Sequence, residues 1–126
     1  RLLLDPIDFR SRRESLDADA WGRVFAQAAR LGVVHLGLTG GEPSTRSDLE
    51  AIVDRAVEAD LYPHLVTAGR PLTLERLETL AERGLRSVQV SIQAVDAERS
   101  DRIAGTPSFA EKLAIARRTS ELGLAL

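Results

Sequence analysis

Short apolar runs of strand character alternate along this chain with stretches of helical spacing, and that alternation constrains the fold more than any other feature. Trp21, Val24, Phe25, Ala28 and Leu31 recur at helical intervals behind a capping Asp17, with Leu16 placed to staple onto Trp21 and Gly32 to close the helix. On this spacing Trp21 is a core residue rather than a ligand platform. Val33 to Leu38 then reads as a strand. Ser47 and Glu50 have the spacing of a capping box for a helix buried through Leu49, Ile52, Val53, Ala56 and Val57, and Leu61 to Thr67 forms the next strand. Thr73 caps a helix that buries Leu74, Leu77, Leu80 and Ala81 and stops at Gly84. Ser87 to Gln93 follows as a strand, and Asp96 to Ile103 as a short helix ended by Gly105-Thr106-Pro107. Ser108 with Glu111 reads as a second capping box, for a helix through Phe109, Leu113, Ala116 and Leu122; Gly123 closes it before Leu124-Ala125-Leu126 begins another strand. Strands that alternate with helices in this way predict an α/β fold with an all-parallel sheet and right-handed crossovers. A doubly wound sheet and a barrel both satisfy the pattern.

Within that frame the turn after Leu36-Gly37-Leu38 stands out. Gly40 and Gly41 remove Cβ atoms where a strand ends, which lets a ligand approach bare backbone amides, and Glu42 follows at once with Pro43 behind it. An acid at the carboxyl end of a parallel strand is well placed to accept hydrogen bonds from a cationic group. The same four residues also suit an ordinary strand-to-helix turn. Thr67-Ala68-Gly69 puts a hydroxyl and a flexible residue at a second strand end. Between Ser87 and Gln93 the alternation is clean: Val88, Val90 and Ile92 point one way, while Gln89, Ser91 and Gln93 point the other. In a packed barrel the inward row is mostly bulky and apolar, so a polar inward row fits a chamber that holds a polar cofactor.

Composition narrows the classes. The chain has 126 residues, about one domain, with a formal net charge of −2 that argues against general nucleic-acid binding. No apolar run has the length of a membrane span and no secretory signal opens the sequence, so a cytoplasmic location is expected. Cysteine and methionine are both absent, which adds to the expectation of a piece of a larger protein. His35 and His64 lie on neighbouring strands, but no carboxylate or cysteine completes a ligand set of recognisable spacing, and they read as satisfied core or loop histidines. Hydrolase elbows, Walker loops and dinucleotide glycine fingerprints do not occur.

Gly40-Gly41-Glu42-Pro43 after an apolar strand resembles the GGEP motif of radical S-adenosylmethionine enzymes. The resemblance continues through Pro6-Ile7-Asp8, Leu16-Asp17 with Trp21, Leu65 to Gly69, Val88 to Gln93, and Asp101-Arg102-Ile103-Ala104-Gly105. In that order and spacing it covers nearly the whole chain and is closest to the peptide-cyclising branch of pyrroloquinoline quinone biosynthesis. It implies an open, partial (β/α) barrel of which residues 1–126 would be the N-terminal half, and an enzyme that joins two carbons of a precursor peptide. The implied cofactors are S-adenosylmethionine and a [4Fe-4S] cluster. On the same basis Gly40, Gly41, Glu42 and Pro43 meet the methionyl group, Thr67 lines the chamber, Ser91 and Gln93 meet the ribose, and Arg102 sits near the carboxylate. The alternative for Arg102 is a surface ion-pair cluster with Glu98 and Asp101. A small peptide-chaperone partner and auxiliary clusters in a C-terminal extension are implied as well.

One departure is large. The cluster of that family sits on a CxxxCxxC loop after the first strand, and no cysteine is present here. The stub Arg1-Leu2-Leu3-Leu4 running abruptly into Asp5 to Phe9 leads us to expect that loop between Leu4 and Asp5; an unrelated tail is the rival. Two alternatives stand beside the enzyme reading: a cluster-less module that binds S-adenosylmethionine or a nucleoside, and a structural half-barrel whose exposed edges are covered by self-association or by the rest of a barrel.

Overall fold

The computed structural model describes residues 16–126. The strand stub and the junction between Leu4 and Asp5 lie outside the described residues.

Three strands, β1 (His35–Leu38), β2 (Tyr62–Thr67) and β3 (Ser87–Val90), form a parallel sheet in the order β1-β2-β3. Ala125 bridges in parallel to Ser87, so a fourth segment adds at the same edge. Doubly wound sheets place the next strand on the opposite side at their switch point. Four segments in succession without reversal are the winding of a barrel segment, which settles the choice left open by the alternation.

The register sorts side chains onto two faces. His35 pairs with Tyr62, Gly37 with His64, and His64 in turn with Ser87, while Leu38, Leu65 and Val88 align on the other side. That second side carries the helices: α1 (Ala18–Arg30), α2 (Leu49–Glu58), α3 (Leu74–Glu82), α4 (Ala97–Ala104) and α5 (Phe109–Glu121). Leu49, Val53, Leu65, Leu77, Leu80, Leu85, Val88 and Ile115 make the main core under α2, α3 and α5. Phe25, Ile52, Ala56 and Leu61 make a smaller one, against which Trp21 packs, stacked on Phe25 at 5.7 Å. Each fully buried leucine contributes about 2 kcal/mol of hydrophobic stabilisation, so the helix-side core rather than the open inner face carries the fold.

Local signals hold where the partner is local. Asp17 accepts from the Ala20 amide at 2.8 Å, Thr73 from Arg76 at 3.2 Å and Asp96 from Arg99 at 2.9 Å. Both expected capping boxes fail. Helix α2 starts one residue later, behind Asp48, and Glu50 turns to Arg76 instead. Ser108 makes no side-chain cap; Asp101 reaches across from α4 and accepts from the Ser108 and Phe109 amides, each at 2.9 Å, and Glu111 faces Arg70. The helical stripes are also narrower than their spacing implies, since Val24 and Leu74 are both 43 % exposed and Leu31, past the end of α1, is 86 % exposed. Strand β3 ends at Val90, and Ile92, expected on the helix side, instead edges the inner face.

Candidate functional site

The inner face of the sheet is a hollow of about 560 Å³, lined among others by His35, Gly37, Tyr62, His64, Gln89 and Ile92. His64 Nδ1 lies 2.7 Å from the Ser87 hydroxyl and His35 packs against the Tyr62 ring, so both histidines have partners within the protein. Among the described residues no group of three His, Cys, Asp or Glu side chains could hold a metal ion. Glu42 and Thr67 do not line the hollow; they form a separate rim at the carboxyl ends of the strands.

That rim is built around Glu42. Gly40 takes a φ of +143°, a conformation open to glycine, and an added Cβ there would meet nothing within 4 Å. Backbone and open space therefore adjoin the acid. Glu42 itself is extended and precedes a 3-10 turn, Pro43–Thr45. Its Oε1 accepts from the Ser44 amide at 3.1 Å, the Ser44 hydroxyl at 2.5 Å and the Thr67 hydroxyl at 2.8 Å; its Oε2 accepts from the Ala68 amide at 2.7 Å. Four donors converge on one carboxylate, which fixes its direction before any ligand arrives.

Each expected site residue takes a distinct place. Gly41 is exposed and Pro43 buried. Thr67 is 2 % exposed and lies in the helix-side row with Leu65, so it supports Glu42 and does not itself line the hollow. Ser91 is half-buried and its amide donates to Thr67 O at 3.0 Å, which brings the β3 end beside the β2 end. Gln93 is exposed and accepts from Lys112 Nζ at 2.7 Å. Arg102 lies in the last turn of α4, exposed and without an ion pair among the described residues; Asp101, which was the alternative partner, caps α5 instead.

Two contributors were not singled out from the sequence. Arg76 of α3 donates to Ser44 O at 2.5 Å and to Arg46 O at 2.6 Å, and grips Glu50 through Nε and Nη2. It thereby clamps the turn that supplies two of the donors to Glu42. The hydrogen bonds from Arg76 hold the Glu50 carboxyl below its ordinary range, and Glu50 in turn raises the guanidinium. Lys112 is the second, 3 % exposed on α5. Its spacing from Ile115 and Thr119, three and seven residues on, was the available signal, since that stripe is buried.

An anchored carboxylate beside bare backbone can accept from an ammonium group. That chemistry fits the amino end of S-adenosylmethionine. It does not fit an iron-sulfur cluster, for which no thiolate exists in the sequence.

Comparison with known proteins adds the following. The model of the Radical SAM superfamily matches residues 6–125. A PqqA peptide cyclase of Methylocella silvestris is 45 % identical over 123 residues, covering 97 % of this chain and 33 % of the relative. PqqA peptide cyclases of Rhizobium meliloti and Methylorubrum populi are 42 % and 41 % identical, with 97 % of this chain and 33 % and 32 % of the relatives covered. The chain spans about a third of the length of these curated relatives.

Proposed function

This chain belongs to the radical SAM superfamily, and from that premise we propose that it forms the S-adenosylmethionine-binding part of a peptide cyclase in pyrroloquinoline quinone biosynthesis. The observation that carries the reading is Glu42, held by four donors at the carboxyl end of the sheet beside the open backbone of Gly40. In this reading the Glu42 carboxylate accepts from the ammonium of the methionyl group, Gly40 and Gly41 let that group lie against the backbone, and Pro43 fixes the turn behind it. Ser91 and Gln93 offer hydrogen bonds to the ribose hydroxyls. Arg102, exposed on α4, pairs with the carboxylate.

S-adenosylmethionine would supply the reactive carbon fragment, and the residues here orient it and keep water out. A [4Fe-4S] cluster would need ligands from outside these 126 residues. For the whole protein the proposed reaction is a carbon-carbon crosslink within a PqqA-like precursor peptide, delivered by a small chaperone-like partner. Among the described residues no helix is long and apolar enough to cross a membrane.

The absence of cysteine favours a second reading, a module that binds the cofactor without a cluster. An iron-sulfur absorption band after reconstitution of the intact natural protein separates the two. The first reading is tested by calorimetric titration with S-adenosylmethionine: loss of the charge-assisted contact in Glu42→Ala should weaken binding at least about tenfold. Equal affinity in wild type and variant would remove Glu42 from the site.

A further inference from the structure

Lys112 is 3 % exposed, and among the described residues no carboxylate pairs with it. Its single partner there is the amide oxygen of Gln93, 2.7 Å from Nζ, on a residue that is itself exposed. Burying an ammonium is costly unless it is hydrogen-bonded, and packing alone does not require one here. The buried stripe of α5 continues through Ile115 and Thr119, where an apolar side chain would fill the same space.

The position of the lysine supplies a reason. Its stem runs against Gly69, whose φ is +79° and where an added Cβ would come within 3.2 Å of Lys112 Cγ. The Gly69 amide donates to the Thr67 hydroxyl at 2.9 Å, and that hydroxyl donates to Glu42. Lys112 therefore stands between the turn that supports Glu42 and the segment that carries Gln93, touching the first with its methylenes and the second with its charge. Gln93 lies beyond the end of β3 and two residues past Ser91, whose amide still bonds to β2, so a side-chain tether at Gln93 has work that the sheet does not do.

We infer that Lys112 is a positioning residue, which holds Gln93 in register with the Glu42 turn so that both ends of a bound S-adenosylmethionine are met at once. The inference rests on the proposed cofactor site. A lysine in this role acts through Gln93, and that makes its effect separable from packing.

The test is a double-mutant cycle on cofactor affinity in the intact natural protein, with thermal stability measured alongside. Lys112→Met keeps the stem and removes the charge, and should weaken S-adenosylmethionine binding about tenfold without lowering the melting temperature. Gln93→Leu should weaken it to a similar degree, and the double variant should be no worse than the weaker single one. Lys112→Arg, which restores a donor, should recover most of the affinity. Should Lys112→Met not fold, acylation of Lys112 read by peptide mass spectrometry takes its place: the amine should react faster in Gln93→Leu than in wild type. Effects that multiply in the double variant, unchanged affinity in Lys112→Met, or unchanged acylation would each overturn the inference. A wild-type protein that binds no S-adenosylmethionine would instead overturn the cofactor reading, and the inference with it.

Discussion

The Thr67 hydroxyl donates to Glu42 Oε1 across 2.8 Å, joining the carboxyl end of β2 to the acid that follows β1. Thr67 is buried, so this bond is made where water does not compete. The same hydroxyl accepts from the Gly69 amide at 2.9 Å. Valine has the same shape but neither capacity. Thr67→Val should therefore leave one buried amide unsatisfied and one carboxylate donor short, lowering unfolding stability by about 1–3 kcal/mol in urea titration. Cofactor affinity should fall with it, because Glu42 loses one of its two buried hydroxyl donors. A variant as stable as wild type would show that the hydroxyl is not the support described.

Glu42→Gln is the sharper substitution at the acid itself. All four neighbours of the carboxylate are donors, so an amide must present its own NH₂ group to at least one of them. The variant loses the charge and gains a donor-donor conflict although its size is unchanged. We expect a loss of about 1–3 kcal/mol in stability and of at least about tenfold in S-adenosylmethionine affinity. Denaturant unfolding and calorimetry read the two effects separately.

The fold and the site were legible in the sequence to different depths. Caps at Asp17 and Thr73 are set by residues three positions away, and local spacing was enough to find them; Asp96, read as the first residue of its helix, caps it instead. Ser47 and Ser108 carried the same pattern and failed, because long-range partners intervened: Arg76 takes Glu50, and Asp101 occupies the amides at the start of α5. Sheet winding could not be read from alternation alone and needed the parallel addition of Ala125 beside Ser87. At the site, the motif placed Glu42 at a strand end, but its donors Thr67 and Ala68 lie on the next strand, 25 and 26 residues on. Arg76 and Lys112 went unnoticed because each acts across the chain, 32 and 19 residues from the groups it holds.

Gly84→Ala separates fold from site. Gly84 adopts a φ of +100°, and an added Cβ would lie 2.8 Å from Val57 Cγ2, in the packing of α2 against the turn after α3. The left-handed backbone alone costs a non-glycine residue about 1–2 kcal/mol, and the overlap adds to it. The melting temperature should drop by several degrees. Cofactor affinity measured well below that temperature should stay unchanged, since the position touches none of the groups around Glu42. A large loss of affinity would mean that the rim is less independent of the helix layer than the contacts imply.

Arg76→Met tests the clamp through pH. Hydrogen bonds from Arg76 hold the Glu50 carboxyl below its ordinary range, so Glu50 binds a proton more weakly in the folded protein than in the unfolded chain. A depressed carboxyl stabilises the fold at pH values above its unfolded value, roughly pH 4, and that contribution fades as the pH falls through the lower, folded value. Wild-type stability should accordingly decline as acid protonates Glu50. In Arg76→Met this part of the slope disappears: stability near neutral pH is lower by about 1–3 kcal/mol, and the two proteins converge towards low pH. The substitution also frees the Ser44 and Arg46 carbonyls, loosening the turn that donates twice to Glu42. Affinity for S-adenosylmethionine should therefore drop at pH 7 even after correction for the unfolded fraction. Parallel pH profiles of wild type and variant would show that the Arg76–Glu50 pair contributes nothing to the fold, and unchanged affinity would show that the turn holds its shape without the clamp.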